Sequence, residues 1–171
     1  MLEALRSEFP RFAEALLSED HDLENVLPPT PEAEIAQVES HLGLQLPPSY
    51  KSFLRVTQGF FLKGGMIQFG SQHPFLHDFP PVETFSEQQR LMIEQKGGGW
   101  PPPSQGMLCF AEYFRDADGD QVLFDLTAPD SDGEFPVMYY SHQDRPPSVT
   151  RVADSFRSWL EGSCLQEMDE E

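Results

Sequence analysis

Residues 35–59 read IAQVESHLGLQLPPSYKSFLRVTQG, and this stretch decides the fold. Ile35, Val38 and Leu42 recur at three- and four-residue steps, so they share one face of a helix that Gly43 stops. Upstream, Thr30 is the expected N-cap and Pro31 the first helical residue. Downstream, Leu44-Gln45-Leu46-Pro47-Pro48 leads into a second helix with Tyr50, Phe53 and Leu54 on one face. Proline suits a helix start because it has no N–H to leave unpaired, and Gly59 is expected to close the helix.

Working outward toward the N-terminus, Leu2, Leu5, Phe9, Phe12, Leu16 and Leu17 form another apolar helical face, broken or kinked at Pro10. In the other direction, Gly64–Gly70 reads as a short strand between glycine turns, and residues 83–96 as a helix. Gly97-Gly98-Gly99-Trp100-Pro101-Pro102-Pro103 combines the most flexible and the stiffest residues and is expected to be loop. Three apolar, aromatic runs follow: Met107–Phe114, Gln121–Leu126 and Phe135–Tyr140. Short connections rich in Asp and Gly separate them, which implies antiparallel neighbours. A last helix over about 153–161 carries Phe156, Trp159 and Leu160 and ends at Gly162. Helices, then a meander, then a closing helix make an α+β domain: a mixed, mainly antiparallel sheet packed by helices from both ends of the chain.

The order of these pieces resembles the SUKH superfamily. Ile35…Glu39…Leu42-Gly43…Leu46-Pro47…Tyr50-Lys51…Phe53-Leu54…Gly59 is similar to its opening signature. Phe110-Ala111, Asp118-Gly119-Asp120 and Phe124-Asp125 resemble its central strand pair, and Pro136-Val137…Tyr139 its next strand. Ala153-Asp154-Ser155-Phe156…Trp159-Leu160 resembles its closing helix. Gln58-Gly59 stands where Asn-Gly is commoner, and residues 60–106 match little. The expectation is one SUKH-like domain over 1–171, matched over about 31–161, with an acidic tail at 165–171. That superfamily includes fungal cell-wall-synthesis regulators and many bacterial immunity proteins, so the resemblance implies a protein that docks on a toxin and blocks it. A regulatory or scaffold module with a non-toxin partner is the alternative.

Charge bears on the partner. The chain has 11 Lys+Arg against 29 Asp+Glu, a formal net charge of −18. That field repels phosphate backbones and anionic membranes and attracts a basic protein; it also serves plain solubility. No apolar run approaches the roughly 20 residues of a spanning helix, and the first residues lack a signal-peptide pattern. The expected compartment is the cytoplasm. Cys109 and Cys164 are the two cysteines, too few for a disulfide framework; both are expected to be free thiols, Cys109 in core packing.

No motif argues for catalysis. Counting from Asp116, the acidic run puts glycine at the fourth position and Thr127 at the twelfth, so it fails as an EF-hand loop. His73 and His77 have zinc-ligand spacing for a helix, but Pro74, Pro80 and Pro81 argue against a helix there. There is no Gly-x-Ser-x-Gly elbow and no P-loop. The expectation is a non-enzyme with no cofactor and no metal. Its partner is expected to be a basic toxin domain such as a nuclease. The acidity around the central hairpin selects Glu112, Asp116, Asp118, Asp120 and Asp125 as contact residues, with Tyr113 and Tyr140 as aromatic anchors.

Overall fold

The structure is a computed structural model that describes residues 2–18, 23–62, 67–68, 106–113, 120–141, 144–145 and 148–165. The chain opens with α1 (Leu2–Glu8) and α2 (Pro10–Leu16), split where Pro10 cannot continue the hydrogen-bond ladder. Leu5, Phe9, Phe12 and Leu16 enter the core, whereas Leu2 and Leu17 are exposed. A two-stranded antiparallel ribbon joins β1 (Leu23–Val26) to β2 (Phe60–Leu62). Between its strands run α3 (Glu32–Leu42) and α4 (Pro48–Val56).

The start of α3 differs from expectation. Pro31, not Thr30, is its N-cap, and Pro31 O accepts from Glu34 N at 2.9 Å. Thr30 is drawn into packing beside α4: its N–H donates to Leu54 O at 2.8 Å, and its buried hydroxyl has no partner among the described residues. Gly43 ends α3 in the left-handed region, at φ 65°. Helix α4 stops earlier than expected, at Thr57, which is extended rather than left-handed. Thr57 Oγ1 accepts from Gly59 N at 3.0 Å and lies 2.9 Å from Leu27 O, so a hydroxyl closes this end before Gly59 is reached.

The second half is a five-stranded sheet in the order β3-β4-β5-β6-β7, antiparallel at every described pairing. Its strands are β3 (Ile67–Gln68), β4 (Met107–Tyr113), β5 (Asp120–Asp125), β6 (Val137–Ser141) and β7 (Ser148–Ala153). β7 takes residues 148–153, so Ala153 ends a strand instead of opening the last helix. That helix, α5 (Phe156–Ser158), is capped by Ser155 and widens into a π-helical turn at Trp159–Ser163 that carries the chain through Gly162. The expected helix over 83–96 and the loop 97–103 lie outside the described residues.

One face of the sheet packs on the helices through an aromatic core. Phe110 stacks on Phe124 with ring centroids 4.0 Å apart, Tyr50 lies 5.0 Å from Phe156, and Trp159 meets Phe110 edge-on at 5.1 Å. A register shift between Cys109 and Ala111 lets consecutive Phe110 and Ala111 both reach this core. The other face carries a second apolar cluster of Cys109, Leu123 and Tyr140 with Met107 and Met138. Cys164 lies fully buried in the main core, and both cysteines are free thiols.

Candidate partner-binding surface

The acidic residues selected from the sequence divide between two ends of the β4–β5 hairpin. Glu112 pairs with Gln121 on one side and Gln68 on the other, and Tyr113 pairs with Asp120 and Ile67. The hairpin register therefore brings Glu112, Tyr113 and Asp120 to one end of the sheet. Asp116 and Asp118 belong to the connection 114–119, which lies outside the described residues. Asp125 is at the opposite end, facing Met107 and about 17 Å from Asp120 at the rise of an extended strand. Its carboxylate is engaged locally, accepting from Thr127 N at 2.9 Å and Thr127 Oγ1 at 2.6 Å, so it shapes the turn after β5.

Tyr140 pairs with Gln121 and so lies in register with the acidic end. Its side chain is only 4% exposed, packed with Cys109 and Leu123 on the second face. Strand alternation explains this: Val137 and Tyr139 point to the main core, so Met138 and Tyr140 point to the other face, which is also apolar. Tyr140 thus belongs to the packing behind the acidic end.

Carboxylates outside the expected contact set, Glu134 and Glu39, hold the scaffold together. Glu134, in the β5–β6 connection, accepts from Ser49 N at 2.7 Å and Ser49 Oγ at 2.6 Å, closing the N-terminus of α4 from 85 residues away. Glu39 accepts from Leu46 N at 2.8 Å and Lys51 Nζ at 2.9 Å, which fixes the α3–α4 connection. Arg157 reaches back to the N-terminal helices: its guanidinium carbon sits 4.6 Å from the Phe9 ring centroid, and it donates to Glu8 O. Chain spacing carries no signal for the Glu134–Ser49 and Arg157–Phe9 contacts.

Three groups among the described residues, Glu32, Arg55 and Tyr50, have titrations shifted in ways that report packing rather than chemistry. The Arg55 guanidinium, hydrogen-bonded to exposed Glu32, holds that carboxyl below its ordinary range. Burial pushes the Tyr50 phenol far above the usual tyrosine range. No group of three His, Cys, Asp or Glu among the described residues is placed to hold a metal ion. His73 and His77 lie outside those residues. An open cleft of about 500 Å³ between β7 and the C-terminal turn is lined by Arg151, Asp154, Ser158 and Ser163 among others, with neither His nor Cys in its wall. Ser158 Oγ there is committed to the α5 cap, 3.0 Å from Ser155 N.

The SMI1 / KNR4 family (SUKH-1) matches residues 29–162, most of the chain. The chain belongs to this family. No curated protein matches it. The SUKH-1 match begins after α1, α2 and β1, yet Phe12 of α2 and Phe9, which joins the two helices, complete the same core. SUKH-1 domains generally bind protein partners and serve as non-catalytic immunity or regulatory domains. Among the described residues, no helix is long and apolar enough to cross a membrane.

Proposed function

We propose that this SUKH-1 protein is an immunity protein, a stoichiometric inhibitor that binds a basic bacterial toxin domain such as a nuclease. The observation that carries this reading is the family match over residues 29–162, in a family of toxin-immunity and related regulatory domains. The net charge of −18 supports a basic partner, because complementary fields accelerate encounter and suppress wrong partners. The contact surface is the end of the sheet that holds Glu112, Tyr113 and Asp120, extended by Asp116 and Asp118 of the connection between β4 and β5. The protein acts in the cytoplasm, by binding and without turnover.

The test starts with affinity capture from native lysate, eluted stepwise with salt. The expected result is one basic protein with a toxic domain, bound one-to-one, whose expression is tolerated only when this chain is co-expressed. Reversing charge at Asp116, Asp118 and Asp120 to lysine should weaken that complex. Several weak partners and no protection of toxin-expressing cells would replace the immunity reading with a regulatory module.

A further inference from the structure

Among the described residues, the outer edge of β7 is the longer of the two sheet edges and carries no neighbouring strand. β7 ends the strand order, and among the described residues no strand pairs with its outer side. At the opposite edge β3 is two residues long and lies against β2. An antiparallel edge strand offers alternate N–H and C=O groups to any extended chain that can lie beside it. The last part of β7 is blunted. A register shift between Val137 and Met138 leaves Val152 without an opposite residue, and Ser163 Oγ donates to Val152 O at 2.9 Å. That leaves Ser148–Arg151, where Thr150 and Arg151 are exposed and Val149 is 38% exposed.

The pairing register puts this open segment at the acidic end of the sheet. Val149 faces Tyr140, Tyr140 faces Gln121, and Gln121 faces Glu112, so the four share one cross-strand row. Asp120 opens β5 one residue before Gln121, and two strand spacings, about 10 Å, separate β5 from β7. Exposed Asp144 precedes β7 and accepts from Ser148 Oγ. Among the described residues, the charges placed at this end are Glu112, Asp120 and Asp144 against Arg145, while Arg151 at the far end of the segment is paired with Asp154 at 2.7 Å.

We propose that an extended, lysine- or arginine-bearing strand of a protein partner adds to the sheet along Ser148–Arg151. Main-chain hydrogen bonds to the edge supply the affinity, and the neighbouring carboxylates select a basic strand over an acidic or neutral one. A second copy of this chain is a poor occupant, since each copy carries a net charge of −18. The inference rests on the reading above that a basic protein docks at the acidic end, and it adds the backbone element that such a protein would grip.

The experiment uses the full chain, isotope-labelled, titrated with an end-blocked octapeptide alternating Lys and Val. The expected result is movement of the 148–151 amide signals and slowed hydrogen exchange there. Affinity should fall as salt rises, and a Glu/Val peptide or a Lys/Val peptide N-methylated on alternate amides should not bind. Thr150→Lys should weaken binding about tenfold through like-charge repulsion at the edge, whereas Gln37→Lys on the exposed face of α3 should leave it near the wild-type value. No binding at millimolar peptide, saturation without change at 148–151, or equal effects of the two lysines would overturn the proposal. With a captured toxin in hand, the two surfaces separate. Loss of the complex in Thr150→Lys but not in the Asp116, Asp118 and Asp120 reversal keeps the edge and removes the hairpin surface, and the opposite pattern overturns the edge.

Discussion

Glu134→Ala is the substitution that most directly tests how this fold is tied together. The carboxylate closes the first turn of α4 with two short hydrogen bonds, 2.7 Å to Ser49 N and 2.6 Å to Ser49 Oγ. Pro48 at the first position has no N–H, so the Ser49 amide is the first donor of the helix that needs a partner. Bonds to a charged acceptor contribute roughly 1.5–3 kcal/mol each, and a lost cap typically costs about 1 kcal/mol. Ser49 is only 7% exposed, so water replaces the lost acceptor poorly, while the partial exposure of Glu134 lowers the total. The expected cost is about 2–3 kcal/mol, which lowers Tm by roughly 4–12 °C for a domain of this size. Glu134→Gln retains one acceptor oxygen and should lose about half as much. Urea unfolding followed by the fluorescence of buried Trp159 measures both variants. Ser49→Ala closes a double-mutant cycle, and the pair should couple by about 1 kcal/mol. A Glu134→Ala variant within 0.5 kcal/mol of wild type, or additive single losses, would refute the reasoning.

Three further outcomes follow from the packing. Tyr50 ionises near pH 10 in the unfolded chain but not in the folded one, so its raised pKa contributes stability that is full below pH 10 and lost as pH rises. Above that pH the unfolding free energy should fall about 1.4 kcal/mol per pH unit more steeply in wild type than in Tyr50→Phe, which paired urea titrations at pH 9 to 11.5 would show. Phe124→Ala removes a ring stacked on Phe110 at 4.0 Å and should cost about 3–5 kcal/mol; a loss under 1.5 in the same assay would mean that the aromatic core collapses around the gap. Gly106→Ala places a Cβ 2.5 Å from Thr127 Cγ2 at φ 104°, so it should cost at least about 2 kcal/mol, and Thr127→Ser should recover part of that loss.

The fold was largely legible because its elements are specified locally. The apolar periods of α1–α4, the proline entry at Pro48 and the glycine stop at Gly43 are short-range signals, and the described strands β4, β5 and β6 follow the apolar runs. β7 was not legible: Ser148-Val149-Thr150-Arg151 has one large apolar residue, because an edge strand needs no buried face there. The end of the chain misled for a related reason. Gly162 signals a helix stop, but the π-helical turn absorbs it. At the candidate surface, residue type points to carboxylates as a class but does not separate those at the hairpin end from those, such as Asp125 and Glu134, that satisfy backbone amides.

That division of carboxylates sets how a functional test must be read. The residues that carry the resemblance to the SUKH signature are spent on the scaffold: Ile35, Leu46, Tyr50, Phe53 and Leu54 are buried, and Glu39 holds Leu46 N and Lys51. On the proposed immunity reading, Glu39→Gln should therefore weaken protection only through lost stability, with a lowered unfolding midpoint and a diminished amount of folded protein. A contact residue behaves in the opposite way. If the proposed surface holds, charge reversal at Asp120 should lower the association rate with a basic partner while the unfolding midpoint stays put. If Glu39→Gln abolished binding with an unchanged midpoint, the family signature itself would form the contact surface, and the hairpin end would lose its claim.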